Sequence, residues 1–156
     1  MQPASIRSLG ESDLGAAREL LRDAVPVESQ LPALLSVLEN SALAPGDEQR
    51  GLIAHVGGGL VAVAVHGEFA GTAGAGRLHL IAVARQHRRS GIGSLLLERI
   101  ISELGARGTR FILAELPEER PALDDYFAFL AANGFIEESR IPNFHEEGVA
   151  LVFLRR

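Results

Sequence analysis

The strongest constraint in this sequence is a strand-like segment that leads through a basic, glycine-containing turn into a long amphipathic helix. Residues 78–83 are mostly apolar, glycines stand at positions 91 and 93, and apolar residues recur at every fourth position in Ile92, Leu96, Ile100 and Leu104. A turn that opens a helix presents free N–H groups and the positive end of the helix dipole. Because glycine lets the backbone approach a ligand closely, this junction predicts a site for a phosphate-bearing ligand.

Positive charge is concentrated at the same turn. Arg85, His87, Arg88 and Arg89 lie within five positions, whereas the 156-residue chain has a formal net charge of −5. A local basic patch in an acidic chain suits a small anionic ligand, and the acidic balance argues against a nucleic-acid partner. We expect Arg88 and Arg89 to neutralise the charge of a phosphate group.

Two common phosphate-binding motifs fit this turn poorly. The Gly-x-x-x-x-Gly-Lys-Ser/Thr pattern of a P-loop is absent. A dinucleotide-binding fingerprint needs a third glycine near position 96, where Leu96 stands. A nucleotide-binding oxidoreductase is therefore disfavoured.

Hydrophobic periodicity predicts a mixed α/β order for the whole chain. The predicted elements are strand 5–9, helices beginning near Leu14 and Leu31, a hairpin of strands 52–56 and 60–65, strand 78–83, a helix from Ile92, strand 111–116, helix Asp124–Ala132, and strands 136–141 and 149–154. Several strands follow one another without an intervening helix, which favours a largely antiparallel sheet.

Length and composition bound the remaining possibilities. The 47% share of apolar residues is enough for one core, so a single domain over residues 1–156 is expected. No apolar stretch approaches the roughly 18 residues that a membrane span needs, and no secretion signal is visible, so a cytoplasmic protein without a membrane partner is expected. Cysteine is absent, and His55 and His66 lack a second ligand at a matching spacing, so no metal site is predicted.

The strand, turn and helix together resemble the acetyl-CoA signature of the GNAT family of N-acetyltransferases. Residues 78–83 read Leu-His-Leu-Ile-Ala-Val, residues 88–93 read Arg-Arg-Ser-Gly-Ile-Gly, and Asn-Gly-Phe follows at 133–135. The resemblance implies the GNAT fold, a twisted, mixed and mostly antiparallel sheet of six to seven strands with about four helices. It also implies acetyl-CoA as cosubstrate and acetyl transfer to a primary amine.

The resemblance places the contacts to acetyl-CoA in two segments. Backbone groups of Ile81, Ala82 and Val83 would pair with the pantetheine arm, and the Val83 amide would polarise the thioester carbonyl. The pyrophosphate would be held by the amides of Arg88, Arg89, Ser90, Gly91, Ile92, Gly93 and Ser94.

His79 is the candidate general base. An alkylamine with a pKa near ~10.4 is mostly protonated at neutral pH, so acyl transfer needs a proton acceptor. The string Leu-His-x-x-Ala-Val resembles the aralkylamine acetyltransferases, in which a histidine at this place helps to remove the proton through water. A buried, hydrogen-bonded strand histidine without a catalytic role is the alternative.

The candidate general acid does not follow directly from the family's sequence pattern. The family's tyrosine, four residues before the glycine of Gly-Phe, is replaced here by Leu130, and its Asn-x-x-Ala pattern by Leu123 and Tyr126. Tyr126 lies one helical turn before Leu130 and is the candidate acid, with core packing as the alternative.

The acceptor amine is not identified by the sequence. A small molecule and a peptide both fit, and carboxylates in the predicted loop 141–147 either attract a cationic amine or lie in an exposed turn. The loss of the usual tyrosine also leaves open an acyl-CoA-binding or regulatory module with weak catalysis. Edge strands near the C-terminus make a homodimer an expected partner arrangement.

Overall fold

The computed structural model describes residues 2–156, and within them the chain forms seven β-strands and four α-helices. In chain order these are β1 (Ser5–Ser8), α1 (Leu14–Ala24), α2 (Leu31–Leu43), β2 (Arg50–Val56), β3 (Gly59–Glu68), β4 (Ala75–Val83), α3 (Ile92–Ala106), β5 (Phe111–Pro117), α4 (Asp124–Ala132), β6 (Ile136–Glu146) and β7 (Val149–Arg155). Short 3₁₀ turns precede α1, α2 and α3. The predicted order of strands and helices is confirmed.

One predicted loop is wrong. Residues 141–146, expected as part of a loop, belong to β6. In the β6–β7 hairpin, β6 extends to Glu146, which still pairs with Val149 across a tight turn. Gly148 in this turn adopts a φ of +86°. Between Ile141 and Glu146 the pairing with β7 is irregular, and Asn143 adopts a φ of +54° there.

The strands form one mixed sheet in the order β1-β2-β3-β4-β5-β7-β6. Every neighbouring pair is antiparallel except β4 and β5, which are parallel. The exception follows from connectivity, since α3 carries the chain back across the sheet between these two strands. The expected mixed, mostly antiparallel GNAT fold is confirmed.

Helices cover both faces of the sheet. On one face α1 and α2 contribute Leu21 and Leu38, which are fully buried against Val63 and Val65 of β3. On the other face α3 and α4 pack an apolar core around Leu96, Leu97, Ile100, Leu104 and Leu130. The repeat of four in α3 that the sequence showed is thus the buried side of that helix.

The sheet opens at a bulge in β4. Val65 of β3 is paired with Leu80 and His66 with Leu78, so His79 has no partner opposite it. The pairing of β4 with β5 ends at the same place, with Leu78 opposite Ala114. A bulge bends its strand and increases the local twist. From His79 onward β4 stays paired with β3 but diverges from β5.

β6 is the edge strand next to β7, and all of its residues are exposed. The homodimer expected from the edge strands stays a prediction. Among residues 2–156, no helix has both the length and the apolar character needed to cross a membrane.

Candidate active site

In the gap between β4 and β5, backbone groups of β4 have no partner strand. The Ala84 amide donates to the Val61 carbonyl of β3 at 2.8 Å. Because alternate residues of a strand direct their backbone groups to opposite edges, Ile81 and Val83 point theirs toward the opening. A linear ligand with amide groups can pair with that edge as an added strand would.

The N-terminus of α3 lies beside the gap. Gly91 precedes the helix with a φ of +83°, a conformation that favours glycine, and its carbonyl accepts the amide of Leu95 at 3.0 Å. The helix has no side-chain cap, so the amides of residues 92–94 have no partner within the helix. This end of α3 therefore provides several donors and a partial positive charge toward an anion.

The two arginines of the turn are used differently. The Arg88 guanidinium donates from Nε to the Val83 carbonyl and from Nη2 to the Ala24 carbonyl, both at 3.1 Å. Its side chain thus ties the end of β4 to the end of α1. The Arg89 side chain is 85% exposed, 3.4 Å from the Asp125 carboxylate. Arg89 is thus the exposed arginine of the pair, held by one long contact with an exposed carboxylate that an anionic ligand could replace.

A large cavity of about 540 Å³ follows the gap and the start of α3. Its walls include the predicted cofactor residues Ile81, Ala82, Val83, Arg88, Arg89, Gly91, Ile92, Gly93 and Ser94, together with the segment between α1 and α2. Ser90 does not line the cavity; its hydroxyl donates to the His87 carbonyl and closes the turn. Nine of the ten predicted cofactor residues therefore lie together on the wall of one cavity.

A smaller cavity of about 220 Å³ meets the large one at the opening of the sheet. His79 and Glu115 line both cavities, and Arg77 lines only the small one. The walls of the small cavity are otherwise mainly apolar, formed by Ala33, Leu34, Val37, Pro117, Phe144 and Leu151. The two cavities share part of their walls, including Gln30 and Leu34, and therefore adjoin beside the bulge.

His79 stands at this junction, half-buried. Its Nε2 lies 2.9 Å from the Glu48 carbonyl, and because a carbonyl only accepts, Nε2 carries the proton of the neutral ring. Burial lowers the pKa of His79 below its ordinary value of 6.5, and Arg77 adds to this effect while the Glu48 carbonyl opposes it. His79 is therefore neutral at pH 7, with Nδ1 able to accept a proton.

Tyr126 lies in the gap from the side of α4. Its hydroxyl contacts the Ile81 amide, and its ring stacks on Phe129 with centroids 6.2 Å apart. Burial raises the pKa of Tyr126, so the hydroxyl stays protonated at neutral pH. Leu130 is fully buried in the core, and the residues of α4 that face the cavity include Tyr126 and Phe129.

Glu115 and Phe144 are two cavity residues that the sequence did not indicate. Glu115 is the one charged residue in β5, a strand that is otherwise apolar, and this isolated charge was a usable signal. Phe144 is 56% exposed and packs edge-on against His145, with centroids 5.2 Å apart. The carboxylates of residues 146 and 147, considered as attractants for an amine, are absent from both cavity walls.

The histidines of β2 and β3 line neither cavity. His66 is 1% exposed, on the face of the sheet that α3 covers, and His55 is half-buried. In the described part of the chain, residues 2–156, no group of three or more His, Asp or Glu side chains could hold a metal ion.

Comparison with known proteins identifies the family. The fold and the opened sheet define an acetyltransferase architecture, and residues 47–137, more than half of the chain, match the family model described as the acetyltransferase (GNAT) domain. The chain belongs to the GNAT acetyltransferase family. No curated protein sequence matches it.

Solved structures agree with this fold. A GNAT-family structure from Desulfovibrio desulfuricans has a TM-score of 0.89 at 19% identity, covering 99% of this chain and 98% of the other. The ribosomal-protein-S18-alanine N-acetyltransferase of Escherichia coli has a TM-score of 0.75 at 22% identity, covering 98% and 92%. An aminoglycoside 6'-N-acetyltransferase in complex with coenzyme A has a TM-score of 0.76 at 16% identity, covering 97% and 96%. At these identities the likeness concerns the fold alone.

Proposed function

We propose that this protein transfers the acetyl group of acetyl-CoA to a primary amine of a small molecule or peptide. The observation that carries the proposal is the meeting of two cavities at His79, where β4 leaves β5. A thioester in the large cavity and an amine in the small one would come together at the one place where the sheet is open. A structural neighbour with a TM-score of 0.76 is in complex with coenzyme A.

The residues of the large cavity fit a CoA ester. The amides at the start of α3 and the exposed Arg89 guanidinium offer donors and positive charge to a pyrophosphate. The open edge of β4 offers backbone groups of Ile81 and Val83 to the amides of a pantetheine arm. The Val83 carbonyl accepts from Arg88, which leaves its amide as the group for the thioester oxygen. The Tyr126 hydroxyl would give up its contact with the Ile81 amide when the arm enters.

The reaction needs two proton transfers around one acyl transfer. The acceptor enters as an ammonium ion and first loses one proton, which His79 accepts at Nδ1 directly or through water. The amine lone pair then forms the C–N bond to the thioester carbonyl carbon, and the C–S bond breaks. The second proton leaves the new amide nitrogen and a proton reaches the CoA thiolate. The products are an N-acetylated amine, CoA thiol and one proton.

Tyr126 is the residue placed to donate to the leaving thiolate. Its hydroxyl lies in the gap along which the pantetheine arm would run, and it is protonated at neutral pH. Stacking on Phe129 fixes the ring orientation. We therefore assign Tyr126 as the proposed general acid in place of the family's usual tyrosine.

Isothermal titration with acetyl-CoA, followed by a thiol-release assay with pooled primary amines, tests the proposal. Binding together with amine-dependent release is the expected result. Binding without release from any amine would favour an acyl-CoA-binding or regulatory module, which the replacement of the usual tyrosine by Leu130 makes the second candidate. Absence of binding would overturn the proposal.

His79→Gln tests the proposed base, and His55→Gln is the matched control because His55 lines neither cavity. Turnover should fall by about a hundredfold or more in His79→Gln and be unchanged in His55→Gln. Because the pKa of His79 is lowered, the acidic limb of wild-type turnover should lie below pH 6.5. Equal turnover of the two variants between pH 6 and 9 would remove the role of His79.

A further inference from the structure

The small cavity carries a paired positive and negative charge beside an apolar wall. The Arg77 Nη2 lies 3.2 Å from the Glu115 Oε1, with side-chain exposures of 36% and 25%. The guanidinium of Arg77 also lies 5.3 Å from the centroid of the Phe69 ring, which helps to hold its orientation. Both charges at this cavity are therefore partly buried and have contacts that orient them.

The two charges lie at different depths along the path of an acceptor. Glu115 lines both cavities and so stands with His79 at the junction where the amine would react. Arg77 lines only the small cavity, whose wall contains none of the predicted cofactor residues. An acceptor whose nitrogen is at Glu115 therefore places its next substituent beside the Arg77 guanidinium.

The charge balance of this cavity disfavours polycationic acceptors. Polyamines and aminoglycosides carry several ammonium groups, each of which needs a carboxylate or an equivalent acceptor when it leaves water. Glu115 is the one carboxylate in the wall of the small cavity, and Arg77 already pairs with it. A volume of about 220 Å³ also lies below the range of about 300–1,000 Å³ that is usual for drug-sized ligands.

From this arrangement we propose that the acceptor is a small zwitterion, an α-amino acid with an apolar side chain. The proposal rests on the acetyltransferase function proposed above. The ammonium group meets Glu115 and then passes its proton to His79, the carboxylate pairs with Arg77, and the side chain packs against Leu34 and Phe144. Arg77 is thus a specificity-determining residue. The products are an N-acetyl amino acid, CoA thiol and one proton.

The test compares two acceptors that differ in the carboxylate alone, L-phenylalanine and 2-phenylethylamine. Thiol release gives kcat/KM for each with the wild type, with Arg77→Gln and with Arg110→Gln. Arg110 is the matched control because it also lies near an aromatic ring, at 5.5 Å from the Phe111 centroid, and lines neither cavity. Comparing the ratio of the two acceptors between proteins cancels their different intrinsic reactivity.

We expect the wild type to prefer L-phenylalanine, and Arg77→Gln to lower the ratio of the two kcat/KM values by about tenfold or more, since a hydrogen-bonded charge pair is lost. Arg110→Gln should leave the ratio unchanged. Affinity for acetyl-CoA, measured by titration, should be the same in all three proteins. A merely structural effect of Arg77 would lower both kcat/KM values together and leave their ratio intact.

Several outcomes would overturn the amino-acid proposal without touching the acetyltransferase function. These are a wild-type preference for 2-phenylethylamine, an unchanged ratio in Arg77→Gln, or turnover only with a polyamine such as spermidine. If Arg77→Gln fails to fold, the amino-acid proposal is tested by the wild-type preference between the two acceptors. Absence of acetyl transfer to every amine would instead overturn the proposed function on which this inference rests.

Discussion

Replacing His66 should change how the stability of this protein depends on pH. His66 is 1% exposed on β3, with its Nε2 3.3 Å from the Glu103 Oε2 of α3, in a geometry that forms no hydrogen bond at either ring nitrogen. Burial lowers the pKa of His66 from 6.5 to about 4, and Arg50 of β2 and His79 of β4 contribute in the same direction. The negative charge of Glu103 opposes the shift but does not outweigh burial.

The sign of the effect follows from where the proton binds. Below pH 6.5 the unfolded chain protonates this histidine while the folded protein keeps it neutral, so stability is complete above pH 6.5 and falls as the pH drops toward about 4. Each pH unit below the unfolded pKa removes about 1.4 kcal/mol, so between pH 7.5 and pH 5 the loss from His66 is about 2 kcal/mol. Most carboxylates titrate below this window, which keeps the effect separable.

Urea unfolding at pH 7.5 and pH 5 measures the free energy of unfolding of the wild type and of His66→Leu. The fall in stability between the two pH values should be about 2 kcal/mol smaller in the variant, which has no proton to bind at this position. Comparison with the variant also removes the contribution of His79, whose pKa is lowered as well. An equal fall in both proteins, or a His66 ring that titrates above pH 6.5 by NMR, would refute the reasoning, because Glu103 would then outweigh burial.

Three further outcomes are expected. A Cβ at Gly93 would lie 3.1 Å from the Phe129 ring, so Gly93→Ala should weaken acetyl-CoA binding by about tenfold. Gly105→Ala is the control in the same helix, because no atom lies within 4 Å of its Cβ, and it should leave the Kd unchanged in the same titration. Equal Kd values for the two variants would contradict the close packing of the α3 N-terminus. Tyr126→Phe keeps the ring that stacks on Phe129 but removes the hydroxyl. The kcat for thiol release should therefore fall by about tenfold or more, with little change in thermal stability. An unchanged kcat would mean that Tyr126 is not the general acid. Leu97 is fully buried, so Leu97→Ala should lower the free energy of unfolding by about 2–5 kcal/mol. A loss below about 1 kcal/mol would mean that the surrounding core fills the space left by the substitution.

Local patterns in the chain were sufficient for the order of strands and helices. The apolar repeat of four from Ile92 to Leu104, the glycines between the strands of the first hairpin and Asn133-Gly134 after α4 each report on a few neighbouring residues. Such signals depend on backbone preference and on which side of an element is buried. They failed at residues 141–146, which belong to β6 because Ile141 and Glu146 both pair with β7 on either side of an irregular stretch.

The candidate site was predictable only in part. The run of residues at 88–94 marks a helix N-terminus with glycines, a property readable from adjacent residues. The contacts of each side chain in this run could not be predicted from adjacent residues. Arg88 and Arg89 are neighbours of the same type, yet one guanidinium is bound to the carbonyls of Val83 and Ala24 and the other is exposed.

The sequence by itself therefore determined the family, the succession of elements and the turn that opens α3, because these depend on neighbouring residues. Tertiary structure decided the rest: the bulge at His79, the divergence of β4 from β5, and the pairing of Arg77 with Glu115 across the sheet. It also decided which face of α4 meets the cavity, where Tyr126 and Phe129 lie rather than Leu130. These features join residues far apart in the chain, and their positions follow from strand register and from the burial that packing imposes.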